Sequence, residues 1–237
     1  PTNLYCLSLA ASGFGKGRSI NTMEEQIING FKESFLTNTL PLMTAVHIEK
    51  IAMDKAKKVP GTDPEDVKTA LTREYNGTGP FLFSFDSGTP AAIKQFRHQL
   101  LLAGIGSINL EMDEVGANLS SNTDILNTFI ELYDVGKIKP KLIKNTAENK
   151  RNEDRDGRTP TNMLLFGTPS KLLDGARAED DFFSMLDMGY ARRLLFSYVP
   201  KPVKADVLDA KDVYASLTDT TMKLLINTLN THTTSLA

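Results

Sequence analysis

The sequence predicts an α/β protein with a mainly parallel central sheet and helices on its faces. Two observations carry this. Short apolar runs that read as strands recur along the chain, at Leu4 to Leu9, Ile108 to Met112 and Asn162 to Gly167. Between them lie segments with apolar residues at helical spacing, and such alternation of strand and helix is the pattern of parallel sheets.

The first run breaks at Ala10-Ala11-Ser12-Gly13-Phe14-Gly15-Lys16-Gly17, behind which Ile20, Met23, Ile27, Phe31 and Phe35 recur as one face of an amphipathic helix. A second helical stretch is expected from about Pro41 to Lys57. Asp63-Pro64-Glu65-Asp66 then supplies an N-cap, a proline at the first helical position and early acids, and Gly77 closes that helix. Phe81 to Phe85 is strand-like and leads to a helix capped by Thr89-Pro90 that runs through Ile93, Phe96 and Leu100. Gly104 and Gly106 are expected to open the strand Ile108 to Met112, and a helix follows near Asp124 to Tyr133. Gly136 to Arg158 is polar and reads as a hairpin or loop. After the strand ending at Gly167 come helical pieces over Ala178 to Met188, a late strand from Arg193 to Val199 and a helical tail from about Ala205 to Leu229.

Composition bounds the function. With 41% hydrophobic and 24% charged residues among 237, the chain has the make-up of a globular protein able to bury a large core. Its net charge of −2 gives no global positive field, so any contact with nucleic acid must come from local basic patches. The single cysteine, Cys6, excludes an internal disulfide and points weakly to a reducing, cytoplasmic setting. No apolar run approaches the roughly 20 residues of a membrane span. The start at Pro1, without an initiator Met and directly before a strand, suggests one domain over 1–237 cut from a longer protein.

The glycine loop matches a relaxed Walker A pattern, in which Ala10 stands at the usual first glycine and Gly15-Lys16 follow after four residues. Glycines let backbone N–H groups turn toward phosphate oxygens, Lys16 reaches the β and γ phosphates, and the following helix adds its positive end. Ser12, Gly13, Phe14, Gly15, Lys16, Gly17 and Arg18 are the candidate nucleotide-binding stretch. Gly17 departs from the pattern, because a Ser or Thr hydroxyl there normally touches Mg²⁺. Ser19 carries a hydroxyl but lies two residues on, at a different angle around the helix.

The strand ending in Asp113-Glu114 fits a Walker B element. If adjacent to the phosphate loop, it would bring Asp113 to a Mg²⁺ ion and Glu114 to the attacking water. Asn109 and Glu111 alternate with Ile108, Leu110 and Met112, so one face of that strand is expected to be wet. Thr168, at the exit of the later strand, is placed to sense a γ-phosphate. Arg192-Arg193 precede an apolar run; one is a candidate arginine finger for a neighbouring subunit, or else a surface ion-pair partner of a residue such as Asp187. The basic residues between Lys137 and Arg158 are either a DNA-tracking segment or a solvated mixed-charge loop. His47, His98 and His232 have no metal-ligand spacing.

The order of these pieces resembles the primase–helicase-associated P-loop ATPases of phages and prophages, long carried as a domain of unknown function. The matching stretches are Ser12 to Gly17, Ser87-Gly88-Thr89-Pro90-Ala91-Ala92, Asp113-Glu114-Val115-Gly116, Phe129 to Asp134, Asn162 to Pro169 and Gly189 to Phe196. The resemblance implies a RecA-like or AAA+-like P-loop core with helices inserted after the phosphate-loop helix. It also implies ATP and Mg²⁺ as cofactors, and assembly into a homo-oligomeric ring such as a hexamer. Single-stranded or forked DNA would be the partner, with no membrane, in the cytoplasm of the host cell. On this match Lys16, Asp113 and Glu114 take the phosphate, metal and water roles, and Arg193 rather than Arg192 falls on the family's arginine. A non-catalytic nucleotide-binding assembly module and a DNA-packaging motor are the alternatives.

Overall fold

A computed structural model describes residues 3–13, 16–119, 123–138, 157–199 and 219–235. Four strands form one all-parallel sheet: β1 (Leu4–Ala10), β2 (Ile108–Met112), β3 (Thr161–Gly167) and β4 (Leu194–Val199), in the order β2-β3-β1-β4. The helices are α1 (Lys16–Met23), α2 (Asn29–Ser34), α3 (Leu40–Lys58), α4 (Pro64–Asn76), α5 (Pro90–Ala103), α6 (Val115–Asn118), α7 (Thr123–Val135), α8 (Pro169–Leu172), α9 (Arg177–Asp187) and α10 (Asp219–Ser235). The expected α/β class with a parallel sheet and flanking helices is therefore present.

The sheet order differs from the expected one. The acidic strand β2 is not adjacent to β1, the strand before the glycine loop, because β3 lies between them and pairs with both. Since the strands are parallel, the ends of β1, β2 and β3 still open on the same edge of the sheet. Asn109 and Glu111 are half-buried while Ile108, Leu110 and Met112 are buried, as the alternation predicts for a strand outside β3. Phe81 to Phe85 is not a strand. Phe85 makes an isolated backbone bridge to β2, donating its N–H to Asn109 O at 3.1 Å and accepting from Glu111 N at 2.9 Å, and the Asn109 side chain donates to Phe83 O at 2.7 Å.

Contrary to the sequence expectation, the first helix does not stop before Pro41. Helical backbone runs without a break from Lys16 to Lys58, with two π turns at Glu24–Ile28 and Phe35–Thr39. In the second, the Leu40 N–H reaches back five residues to Phe35 O. Proline lacks an N–H and its ring presses on the carbonyl four residues back, so a widened turn immediately before Pro41 carries the chain through without a break. The helix α5 does have the predicted ends. Thr89 Oγ1 accepts from Ala92 N at 3.2 Å, and Gly104 closes the last turn at φ 70°, where a Cβ would be strained. Gly104 therefore ends a helix rather than opening a strand.

The main core lies on the sheet face that carries Tyr5, Leu7, Leu110, Met112, Met163 and Leu165, covered by α5, α6, α7 and α9. Two buried tyrosines reach hydrogen-bond partners. Tyr5 Oη donates to Phe129 O at 2.7 Å and lies 3.0 Å from Thr161 Oγ1, and Tyr190 Oη donates to Leu126 O at 2.7 Å. Burial pushes both hydroxyls to higher pKa, so they stay neutral donors. The long helical run joins this core through Phe31, Phe35 and Leu40, packed on Phe81, Phe83 and Ala103. The final helix α10 lies against α2 and the first π turn, where Thr233 Oγ1 donates to Ile27 O at 3.1 Å.

No helix among the described residues is long and apolar enough to cross a membrane. The polar stretch 139–156 and the beginning of the expected tail helix, 205–218, lie outside the described residues.

Candidate phosphate site

The site forms where β1, β2 and β3 end. Strand β1 stops at Ala10, Ser12 and Gly13 make an exposed turn, and α1 begins at Lys16. Phe14 and Gly15 lie outside the described residues. The first N–H groups of α1 have no partner within the helix, and its positive end faces the loop.

Lys16 folds back over the strand ends. Its ammonium donates to Ala10 O at 3.2 Å, Gly167 O at 2.8 Å and Thr168 Oγ1 at 2.9 Å, which uses all three of its protons. The carbonyls of β1 and β3 thus hold the lysine at the mouth of a cavity of about 270 Å³ lined by Ser12, Gly13, Lys16, Gly17, Asp113, Glu114 and Thr168. Sequence-predicted residues from three separate stretches meet there. Arg18 is exposed on α1 and is not in that lining.

Glu114 occupies a distinct backbone state. At φ 51° and ψ 56° it is the only non-glycine with positive φ among the described residues. For a side chain with a Cβ this costs on the order of 1 kcal/mol, and such strain persists where the surroundings over-determine it. The surroundings are two donors, one from the N-cap residue of α8 and one from within that helix: Thr168 Oγ1 lies 3.3 Å from Glu114 Oε1, and Lys171 Nζ lies 3.3 Å from Oε2. Asp113 accepts from the Glu114 N–H at 2.9 Å, which tightens the same corner.

A second cavity adjoins the first, sharing Gly17 and Asp113, and brings Glu24, Asp86 and Glu111 near them. Burial pushes the Glu111 carboxyl above its usual range; Glu24 and Asp113 add to this and Lys32 opposes it. No group of three or more His, Cys, Asp or Glu side chains among the described residues is arranged to hold a metal ion.

Arg193 is the candidate that the structure does not bring to this site. It lies just before β4, whose first residue Leu194 pairs with Tyr5, so it sits at the far end of the sheet from the loop. Its side chain is 3% exposed; it donates from Nε to Asp134 Oδ1 at 3.0 Å and from Nη1 to Gly189 O at 2.7 Å, and from Nη2 to Asp134 Oδ2. A guanidinium so enclosed cannot reach a neighbouring subunit's nucleotide without leaving these partners. The expectation of a finger at Arg193 is therefore replaced by a structural ion pair, and its partner is Asp134 rather than Asp187. Arg192 is the exposed member of the pair.

Lys171 was not among the sequence candidates. The available signal was its spacing, because Pro169 starts a helix and places Lys171 one turn beyond Thr168. No protein-family model, no curated protein and no solved structure matches this chain.

Proposed function

We propose that the chain binds and hydrolyses ATP at the site lined by Ser12, Gly13, Lys16 and Gly17. The observation that carries this is the meeting of Lys16, Asp113, Glu114 and Thr168 around one cavity at the ends of three parallel strands. Open parallel sheets bind ligands outside the carboxyl ends of their strands, and a glycine loop leading into a helix suits phosphate there.

The chemistry assigned to each residue follows from its position. Lys16 exchanges neutral carbonyl partners for phosphate oxygens, since a charge-assisted bond to an anion is the stronger one. Its charge then offsets the negative charge that develops on the transferred phosphoryl group. Mg²⁺ fits this donor set with a single protein carboxylate, Asp113, because the ion usually keeps several waters and takes substrate phosphates as ligands. Bound there, it would supply charge neutralisation on the phosphates. Glu114 accepts a proton from water as the water oxygen bonds to the γ phosphorus. The bond from that phosphorus to the bridging oxygen breaks, and its electron pair leaves with ADP.

The finer reading is a helicase or translocase domain of a phage-type replication protein, working as a ring on DNA. It rests on the resemblance of the motifs in order, not on any one contact. A non-catalytic assembly module is favoured by Gly17, which puts no hydroxyl where Mg²⁺ would look for one. A DNA-packaging motor shares the same site and differs in the domains attached to it.

The deciding experiment is ATP hydrolysis with and without single-stranded DNA, beside Lys16→Ala. Turnover stimulated by DNA and abolished by the substitution supports the motor reading. Binding without turnover favours the assembly module, and no nucleotide binding at all refutes the site.

A further inference from the structure

The geometry points to Lys171 as a positioning residue that, with Thr168, fixes the carboxylate of Glu114 for its work on water. This inference rests on the ATPase reading above and names a residue that reading does not require.

Three independent features support it. The first is the division of labour on one carboxylate: Thr168 Oγ1 meets Oε1 and Lys171 Nζ meets Oε2, each at 3.3 Å. One partner per oxygen prevents the carboxylate from rotating about its last bond, which a single partner would not do. The second is that Thr168 is the N-cap residue of the short helix that carries Lys171. The Lys171 N–H donates to Thr168 O at 2.9 Å, so the two side chains are one turn apart and move as a unit.

The third is how closely that helix is pressed against the segment that carries Glu114. Gly116, two residues beyond Glu114, sits so near α8 that a Cβ added there would lie 2.9 Å from Lys171 O and 3.2 Å from Leu172 N. Backbone contact at this range leaves Glu114 and Lys171 little freedom to drift apart. The approach needs a glycine, and the left-handed conformation of Glu114 turns its side chain toward the same helix.

Lys171 does not line the cavity, and its ammonium acts at the outer oxygen of the glutamate. Its loss should therefore lower the rate of the chemical step and leave nucleotide affinity alone. Positional errors of about 1 Å in a reacting group cost up to about a hundredfold, and here Thr168 remains, so a fall of roughly tenfold in kcat is expected.

The test measures kcat, KM for ATP and the affinity for a non-hydrolysable ATP analogue in the whole chain and in Lys171→Ala, Lys171→Met and Lys171→Arg. Side-chain exposure of 59% at Lys171 makes all three tolerable to the fold. The expected result is a lower kcat for Ala and Met, unchanged KM and analogue affinity, and recovery in Arg. In a Glu114→Gln background the Lys171→Ala change should cost nothing further, because it acts through that carboxylate. A wild-type kcat in Lys171→Ala, a loss of analogue affinity, no recovery with Arg, or an additive loss in the double variant would each overturn the positioning role alone. Absence of turnover in the unmodified chain, or turnover indifferent to Glu114→Gln, would overturn the ATPase reading of Glu114 and this inference with it.

Discussion

Lys16 and Thr168 are joined by a hydrogen bond of 2.9 Å between the lysine ammonium and the threonine hydroxyl, although 152 residues separate them in the chain. The same hydroxyl lies 3.3 Å from Glu114 Oε1, so it can accept from the lysine while donating to the glutamate. A phosphate group that draws Lys16 away removes one side of this arrangement and leaves the other. Thr168 thereby couples the residue that would hold phosphate to the residue that would act on water.

Thr168→Val should lower turnover through both ends of that link. Valine keeps the shape but can neither accept from Lys16 nor donate to Glu114, and Thr168 is 3% exposed, so water cannot easily substitute. A fall in kcat of about ten- to a hundredfold is expected, with recovery in Thr168→Ser. Steady-state kinetics of the pair check it; equal activity of Val and Ser variants would show that the hydroxyl is dispensable.

Gly17→Ser asks whether the missing hydroxyl limits metal use. A Cβ at Gly17 meets nothing within 4 Å, and the position is helical, so serine fits without strain. Serine also raises helix propensity, by roughly 0.5 kcal/mol. If Mg²⁺ binds beside Asp113, the Mg²⁺ concentration for half-maximal turnover should fall severalfold. No change in that concentration would mean that water already fills the position.

Local chemistry was legible in the sequence wherever the signal was local. The caps at Asp63-Pro64 and Thr89-Pro90, and the alternation through Ile108, Leu110 and Met112, gave α4, α5 and β2 nearly to the residue. The glycine loop and Asp113-Glu114 are legible as separate motifs, and the meeting of Ser12, Gly13, Lys16 and Gly17 with that acidic pair at one cavity follows from parallel strands ending on one edge. What sequence did not reveal depends on distance or on backbone state. Pro41 reads as a helix start because nothing in residue types announces a π turn. The insertion of β3 between β1 and β2 is a matter of strand order, which periodicity does not encode. Asp134 pairs with an arginine 59 residues away, and Lys171 with a glutamate 57 residues away.

Gly116→Ala tests the close approach of α6 and α8. The added Cβ would be 2.9 Å from a backbone oxygen, which cannot swing aside as a flexible side chain can. The two elements must separate, at a cost of about 1–3 kcal/mol typical of overpacking. Thermal or denaturant unfolding should register that loss. Turnover measured well below the transition should also fall, because Lys171 no longer reaches Glu114. A variant as stable and as active as the unmodified chain would show that the contact relaxes without consequence.

The Asp134–Arg193 pair yields a prediction in which stability and activity separate. Arg193 is enclosed, its guanidinium carbon lies 5.7 Å from the centre of the Tyr133 ring, and Asp134 is 48% exposed on its outer side. The hydrogen bonds from Arg193 hold the Asp134 carboxyl below its usual range; burial opposes this, and the charges of Arg193 and Arg192 add to the lowering. A carboxylate whose folded pKa is depressed stabilises the fold at pH above its unfolded value. That contribution is lost as pH falls through the lower, folded value. Asp134→Asn should therefore cost about 1–2 kcal/mol at neutral pH, discounted for the exposure of Asp134, and the gap to the unmodified chain should close as the medium is acidified. Arg193→Ala should cost somewhat more, about 2–3 kcal/mol, since packing on Tyr133 is lost as well. Because the pair stands at the opposite end of the sheet from the loop, kcat per folded molecule should change little in either variant. Denaturant unfolding across pH, paired with turnover corrected for folded fraction, separates the two roles. A large loss of turnover in Arg193→Ala at full folding would return that arginine to the catalytic machinery.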